Sequence, residues 1–391
     1  MKKNLTLFFT LDGLENIHLF KDVGLVPYYL GKENELTVDI LYSNSGDNKV
    51  VKNFRTIKLK NLKRINFIKK FDCFRIIENF NFYRYLLKKG KKIDYLMFFH
   101  ISVEKLFLII LYKFLNKQGK VYLKLDLSTD SIRNTNMKEK KDLKKIFLKI
   151  ILKKVDLISC ETEEGFKIVK NEGMYNICIK NKLIYIPNGF DEDYLIENNI
   201  RIKKFNEKEN IMITVGRIGT EPKNNEMLLK VLKNIELINW KVFIIGPYTE
   251  KFKLLYEKFI QDNPDKKNKV ILVGNIENKI SLYDYYNRAK VFLLTSRWEG
   301  FATIFPEALR FGNYIITTDV GGAKDITNNG KIGVITEINN EENYKEEILK
   351  VINGQINLEK KFTESIELSK TKFLWNNIVK NKEIKFFFNE G

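Results

Sequence analysis

From Asn4 to Thr317 the chain repeats one pattern: a short apolar run, then a longer stretch with apolar residues at every third or fourth place. Nothing else in the sequence restricts the fold as strongly. Strands joined through helices re-enter a sheet parallel to one another, so the alternation predicts parallel sheets covered by helices. The first series of expected strands is Asn4–Thr10, Thr37–Leu41, Tyr95–Phe99, Lys120–Leu125, Leu157–Cys160 and Leu183–Ile186, with helical stretches such as Ser102–Asn116 and Lys138–Lys154 between them. A second series follows at Ile211–Val215, Lys241–Ile245, Val270–Val273, Val291–Leu294 and Tyr314–Thr317, separated by helical patterns such as Asn225–Ile235 and Ser281–Asn287.

A chain of 391 residues exceeds one ordinary core, and two series mean two domains. The polar stretch Asp191–Asn210 separates them and reads as a linker. The expected division is 1–195, 196–370 and a C-terminal helix, 371–391, packing on the first domain, with Phe373, Leu374 and Trp375 as its apolar anchor. Two doubly wound domains facing each other leave a cleft at the C-terminal ends of their strands, where such sheets bind ligands.

Composition sets outer limits. Hydrophobic residues at 44% and charged residues at 30% describe a globular protein. Cys73, Cys160 and Cys178 are scattered, without a CxxC pair, and read as reduced cysteines of a cytosolic protein. Met1-Lys2-Lys3 before Leu5–Phe9 imitates a signal peptide, but Asp12 interrupts the run and no cleavage site follows; a first strand is the expectation. The longest apolar stretch, Leu106–Tyr112, falls far short of the ~20 residues that span a bilayer. A cytoplasmic chain, soluble or peripheral at the inner face of the plasma membrane, is expected.

The net charge of +19 is uneven: residues 51–150 hold 26 Lys/Arg against 8 Asp/Glu, whereas residues 201–391 hold 31 against 25. A local excess suits an anionic membrane surface or a phosphorylated acceptor; a solvated lysine coat is the plain alternative. The pI of 9.4 raises nucleic-acid binding as a remote alternative. No recognised nucleic-acid motif accompanies the charge and no stacking aromatics organise it, so no nucleic-acid partner is expected.

The chemistry concentrates in Thr295-Ser296-Arg297-Trp298-Glu299-Gly300-Phe301-Ala302-Thr303-Ile304-Phe305-Pro306-Glu307-Ala308-Leu309. A strand ends before it and a helix starts near Thr303, with Pro306 in the first turn, where its missing N–H costs little. The N–H groups of Gly300–Thr303 then form an anion or hydroxyl site. Glu299 on the loop and Glu307 a turn into the helix can each accept paired hydroxyls of a polyol. Val215-Gly216-Arg217, with Lys223 after it, places two cations at a strand end, suited to a diphosphate. Loop charges without a ligand are the plainer reading of either residue alone. Val273-Gly274-Asn275-Ile276 follows another strand, and Gly321-Gly322 makes a glycine turn after Thr318-Asp319.

Glu299 and Glu307, with seven residues between them, resemble the E-x7-E signature of retaining GT-B glycosyltransferases, the bacterial sugar-transferase family numbered four. The resemblance covers nearly the whole chain and implies the GT-B fold. It implies that Arg217 and Lys223 bind the donor diphosphate and stabilise the departing nucleotide, and that Glu299 is catalytic. It further implies that Gly13, Leu14, Gly216, Asn275, Ile276, Gly300, Phe301, Ala302, Thr303 and Glu307 bind the donor. Ala302 stands where many members carry glycine, so donor identity does not transfer from a relative. The loop Asp12-Gly13-Leu14 lacks the double glycine common elsewhere. Ile186-Pro187-Asn188-Gly189-Phe190-Asp191 resembles the family's turn into the linker and reads as structural, with Asn188 and Gly189 suited to positive φ.

Of two histidines, His18 reads as a surface residue, while His100 ends a strand where relatives often place a histidine near the transferred sugar. Asp126 and Glu161 also end strands and can orient or deprotonate an acceptor hydroxyl, or cap helices. No metal ligand set is expected: Asp191-Glu192-Asp193 has the Asp-x-Asp spacing but lies in the linker. The implied enzyme is a metal-independent hexosyltransferase that needs no cofactor. Its substrate is a nucleotide-diphosphate sugar, UDP before GDP, and its acceptor a glycan or lipid-linked glycan of bacterial cell-surface polysaccharide. A sugar phosphorylase or nucleotide-sugar epimerase on the same fold is the alternative. A glycoside hydrolase with Glu299 and Glu307 as acid and nucleophile is disfavoured by their place beside a diphosphate site.

Overall fold

The computed structural model describes residues 2–11, 13–44, 49–62, 80–136 and 143–389. Asp12 and Cys73 lie outside them, as does part of the basic 51–150 region. The chain forms two compact units: Met1–Pro187 with Trp375–Gly391, and Asn188–Leu374. The chain therefore passes between units at 187/188 and 374/375, where the sequence had suggested 195/196 and 370/371.

The first unit is built on an eight-stranded sheet in the order β3-β4-β2-β1-β5-β6-β7-β8. Its strands are β1 (Asn4–Phe9), β2 (Thr37–Tyr42), β3 (Asn53–Phe54), β4 (Ile57–Asn61), β5 (Tyr95–Phe99), β6 (Lys120–Lys124), β7 (Leu157–Cys160) and β8 (Leu183–Tyr185). All pair in parallel except the short hairpin β3–β4. β1, β5 and β7 are buried almost throughout because helices cover both faces, which is why they read as continuous apolar runs. The sequence reading missed β3 and β4. β4 alternates buried and exposed residues near the sheet edge, so its Lys58 and Lys60 hide it from a search for apolar runs.

Helices α1 (Asp22–Glu33), α2 (Phe80–Lys89), α3 (Glu104–Leu115), α4 (Leu143–Lys154) and α5 (Glu163–Glu172) flank this sheet. The C-terminal segment belongs to the same unit: Trp375 stacks near Tyr29 of α1, and the Tyr95 hydroxyl donates to the Phe388 carbonyl. Burial of Trp375, Ile384, Phe387 and Phe388 in the core of the first unit, at about 1.5–3 kcal/mol per large apolar side chain, holds it there.

The second unit has six parallel strands in the order β11-β10-β9-β12-β13-β14. They are β9 (Ile211–Val215), β10 (Lys241–Ile245), β11 (Val270–Gly274), β12 (Val291–Leu294), β13 (Tyr314–Thr318) and β14 (Gly333–Thr336). Helices α6 (Asn225–Lys233), α7 (Glu250–Asp262), α8 (Lys279–Arg288), α9 (Ile304–Arg310), α10 (Glu341–Ile352) and α11 (Leu358–Lys372) pack around it. The segment read as a linker is part of this unit. Asp191 starts a short helix, Glu192–Glu197, and Glu192 pairs with the buried Arg310 guanidinium. The Asn287 side chain donates to the Arg201 carbonyl and accepts from the Lys203 N–H. Polarity here reflects satisfied contacts, which composition alone does not distinguish from a solvated linker.

Candidate active site

In the second unit three neighbouring strands, β9, β10 and β11, run into glycines at their C-terminal ends. The Gly216 N–H donates to the Ile245 carbonyl and the Gly246 N–H to the Gly274 carbonyl, so the three ends form a close backbone crest. Gly246 has φ +133°, and a Cβ there would sit 1.8 Å from the Gly216 carbonyl oxygen; no side chain fits. The crest lets a ligand approach main chain directly. Arg217, at its rim, is exposed and its guanidinium has no protein partner among the described residues. Tyr248, 39% exposed, lies against Gly274, and offers an aromatic face beside the Gly274-Asn275-Ile276 turn. Asn275 is exposed and Ile276 partly buried.

Lys223 and Glu299, far apart in sequence, meet here: Nζ donates to Oε1 at 2.6 Å, with both side chains about one-seventh exposed. The Ser296 hydroxyl donates to the same oxygen at 2.6 Å. Lys223 is placed by a local device. Asn224 adopts left-handed backbone (φ +48°), and the Thr295 hydroxyl donates to the Lys223 and Asn224 carbonyls. The Arg297 N–H donates to the Pro222 carbonyl, binding the 222–224 turn to the carboxylate-bearing turn.

That turn is braced from below. A Cβ on Gly321 would lie 1.9 Å from the Gly300 carbonyl oxygen, which explains the glycine. Phe301 and Ala302 are buried in the core, and the Phe301 carbonyl accepts from the Asn188 side chain at 3.0 Å. Phe301 therefore acts by anchoring the turn. Gly300 and Thr303 are partly exposed and α9 begins directly after Thr303, so the expected run of N–H groups opens at a helix start. Glu307 receives the Tyr283 hydroxyl at 3.4 Å and faces the Lys279 ammonium at 3.7 Å. The Lys279 Nζ also sits over the Tyr194 and Tyr283 rings. Lys279 and Tyr248 escaped the sequence reading because neither falls in a spaced motif; both sit just beyond strand ends.

In the first unit, His100, Asp126 and Glu161 follow β5, β6 and β7, and the sheet order brings them together. His100 and Asp126 both hold positive φ, +56° and +48°, an unfavourable conformation that surrounding contacts must maintain. His100 Nε2 lies 3.5 Å from Asp126 Oδ2. The His100 carbonyl accepts from Lys105, whose ammonium is buried enough to bring its pKa down to about 8.

Behind them lies Lys124, fully buried, which donates to Glu161 Oε2 at 2.8 Å and to Asp22 Oδ2 at 3.3 Å. Carboxylate oxygens of Asp22, Asp126 and Glu161 lie within 4.8 Å of one another, and the cation among them is the Lys124 ammonium. Burial raises the Glu161 pKa well above the usual carboxyl range, against the pull of Lys124. Asp126 falls to about 2: burial opposes this, but a hydrogen bond from Glu161 and the charges of Lys124 and His100 outweigh it. Of the three acids around the ammonium, the deepest, Glu161, is thus the one that holds a proton most strongly.

Leu14 stands apart from its expected role. Its N–H already donates to Asn44 Oδ1 at 3.0 Å, the Asn44 amide donates to its carbonyl, and its side chain is core. Gly13 has φ +80° with open space about its Cα. Cys160 is buried and Cys178 exposed. A cavity of about 620 Å³ bordered by Leu195, Arg201 and Phe362 includes none of the motif residues.

Residues 196–368 match the model of the family described as Glycosyl transferases group 1. The match lies within the second unit, Asn188–Leu374. The chain is 25% identical over 253 residues to the capsular polysaccharide biosynthesis glycosyltransferase CapM of Staphylococcus aureus, covering 59% of this chain and 63% of that protein. Across the first curated relatives the match spans 53–63% of their length, less than two thirds. Among solved structures, a glycosyltransferase from Rickettsia africae aligns over 99% of this chain and 98% of its own, with a TM-score of 0.71 at 18% identity. Anabaena Alr3699/HepE in complex with UDP-glucose aligns over 99% and 100%, with a TM-score of 0.65 at 12% identity. These likenesses show the fold of the whole chain as GT-B.

Proposed function

We propose that the protein is a retaining glycosyltransferase whose group 1 domain binds a nucleotide-diphosphate sugar, UDP-linked before GDP-linked. The observation that carries this reading is the Lys223–Glu299 contact beside the glycine crest and Arg217. Cations at a main-chain crest suit a diphosphate; a carboxylate at the same place suits sugar hydroxyls. Arg217 and Lys223 hold the diphosphate, Glu299 holds the sugar, and Glu307 with Lys279 and Tyr283 holds the far end of the donor. Asn275, Ile276 and Tyr248 flank the base. The bond between the anomeric carbon and the β-phosphate oxygen breaks with its electron pair passing to the diphosphate. The acceptor oxygen bonds to the same face, and its proton goes to the departing diphosphate. Charge stabilisation by Arg217 and Lys223 is the largest catalytic contribution. The reaction draws on protein cations and needs no metal or further cofactor.

The acceptor is a glycan or lipid-linked glycan of bacterial cell-surface polysaccharide, held on the first unit through His100 and Asp126, with Glu161 buried behind them rather than touching it. CapM's capsular role supports that class. The first unit also meets an anionic membrane from the cytoplasmic side. Leu87 on α2, Phe107, Ile110 and Phe114 on α3 and Ile146 on α4 are exposed large apolar residues among lysines, on helices that pack side by side. No described helix is long and apolar enough to cross a membrane.

A thermal-shift panel of UDP- and GDP-sugars, then anomeric NMR of the product formed with the stabilising donor, tests the reading. Stabilisation by UDP-sugars and a retained anomer are expected, and Glu299→Ala abolishes transfer. An inverted product, or full transfer by Glu299→Ala, refutes it. Release of nucleotide with phosphate as acceptor, or none with any acceptor, indicates the phosphorylase or epimerase.

A further inference from the structure

We infer that Lys124, backed by Asp22, is a positioning residue that keeps Asp126 ionised and fixed, so that Asp126 orients the acceptor hydroxyl by accepting its hydrogen bond without removing its proton. This rests on the proposed transfer reaction and deepens it by assigning what the first unit does there.

Geometry comes first. Lys124 ends β6 and is wholly enclosed, with Glu161 at 2.8 Å and Asp22 at 3.3 Å. Asp22 is the first residue of α1, so its position is set by a different element from the strand ends that carry Glu161 and Asp126. Asp126 is the one carboxylate of the three that reaches outward, 30% exposed, beside a His100 imidazole that is 36% exposed. Both take left-handed backbone, an unfavourable conformation that persists where surroundings over-determine it. The buried ion cluster supplies that over-determination.

Charge follows from this arrangement. A buried ammonium is costly unless paired, and a lone buried carboxylate equally so. Lys124 is shared between Asp22 and Glu161, and carboxylate oxygens of both lie within 4.8 Å of one on Asp126. The other titratable groups facing the cluster are Tyr122, whose hydroxyl contacts Ser159, the Cys160 thiol, His100, and Lys105 behind the His100 carbonyl. Burial pushes Tyr122 and Cys160 up to about 12, so neither gains charge near neutrality. With its pKa at about 2, Asp126 is too weak a base to deprotonate a sugar hydroxyl, yet it is a strong acceptor for one. The choice between orienting and deprotonating, open from sequence, resolves toward orienting.

Two variants test this by ¹³C-carboxyl NMR titration of the full chain, with UDP release from UDP-glucose, water as acceptor, as the kinetic readout. Lys124→Met should raise the Asp126 midpoint by a unit or more. It should lower kcat tenfold or more with an unchanged KM for UDP-glucose, and move the acid limb of the rate profile upward with that midpoint. Asp22→Asn, milder in its effect on folding, removes a negative charge and should lower the Glu161 midpoint. An Asp126 midpoint unmoved by Lys124→Met, or a Glu161 midpoint unmoved or raised by Asp22→Asn, overturns the inference. A kcat loss equal at every pH, following a lower melting temperature, also overturns it, because that is what a structural role alone produces. No UDP release by the unaltered protein, with both titrations as expected, refutes the donor reading and leaves the charge arrangement standing.

Discussion

Each unit carries a lysine–glutamate pair at the C-terminal ends of its strands, and the two pairs are built for opposite purposes. Lys124 and Glu161 are sealed at 0% and 1% exposure, with Asp22 and Asp126 completing the cluster. Lys223 and Glu299 remain about one-seventh exposed, on turns beside an open glycine crest and an unpaired arginine among the described residues. Water and ligand can replace the second pair's partners, whereas the first pair has nothing to exchange with. A sealed pair fixes neighbours in place; an accessible one holds ligand-binding groups ready until phosphate and sugar hydroxyls take over. The same two residue types thus serve as scaffold in one unit and as binding groups in the other, and burial decides which.

The sharpest way to break this comparison is to remove each lysine. Lys124→Ala leaves carboxylates buried without their cation and should cost about 3–5 kcal/mol in a denaturant melt. Lys223→Ala should cost about 1 kcal/mol or less in the same melt, because solvent reaches Glu299. Its effect belongs in kcat, a loss of ~100-fold that Arg217→Ala should share. Equal stability losses for the two lysines would erase the distinction drawn between them. A smaller effect is expected at the far end of the donor site. Lys279→Ala should weaken nucleotide-sugar binding by about 15-fold in a calorimetric titration, at the low end of the ~1.5–3 kcal/mol of hydrogen bonds to charged groups. Unchanged affinity would remove Lys279 from the site.

The smallest effect is a pH dependence. Glu161 keeps its proton in the fold above the ordinary carboxyl value of 4.5. The stability it lends is complete below that value and falls as pH rises through its raised folded pKa. Glu161→Gln cannot ionise, so its melting temperature relative to the unaltered protein should climb above pH 4.5, by about 2–4 °C for each ~1 kcal/mol. A difference constant with pH would mean that Glu161 is ionised in the fold.

Much of the fold was legible because parallel strands buried on both faces read as bare apolar runs, and β5, β7, β9, β10 and β12 fall where the runs lie. β4 and β14 were not read: β4 alternates buried and exposed residues around Lys58 and Lys60, and β14 is only four residues long and opens on a glycine. Glu299, Glu307, Arg217 and Lys223 could be picked from the sequence because their spacing is local. Leu14 was misjudged because its partner, Asn44, lies thirty residues away. Lys124 sat inside the expected strand Lys120–Leu125, and neither it nor Asp22 falls in a spaced motif, so neither was marked.

By itself, then, the sequence determined the alternation, the two-sheet architecture and the motif turns, since these depend on interactions between near neighbours along the chain. Only the tertiary structure decided which charges meet, which are sealed from water and which carboxyl keeps a proton. Those outcomes depend on distance and dielectric across strands that are adjacent in space and remote in sequence, and no local pattern encodes either.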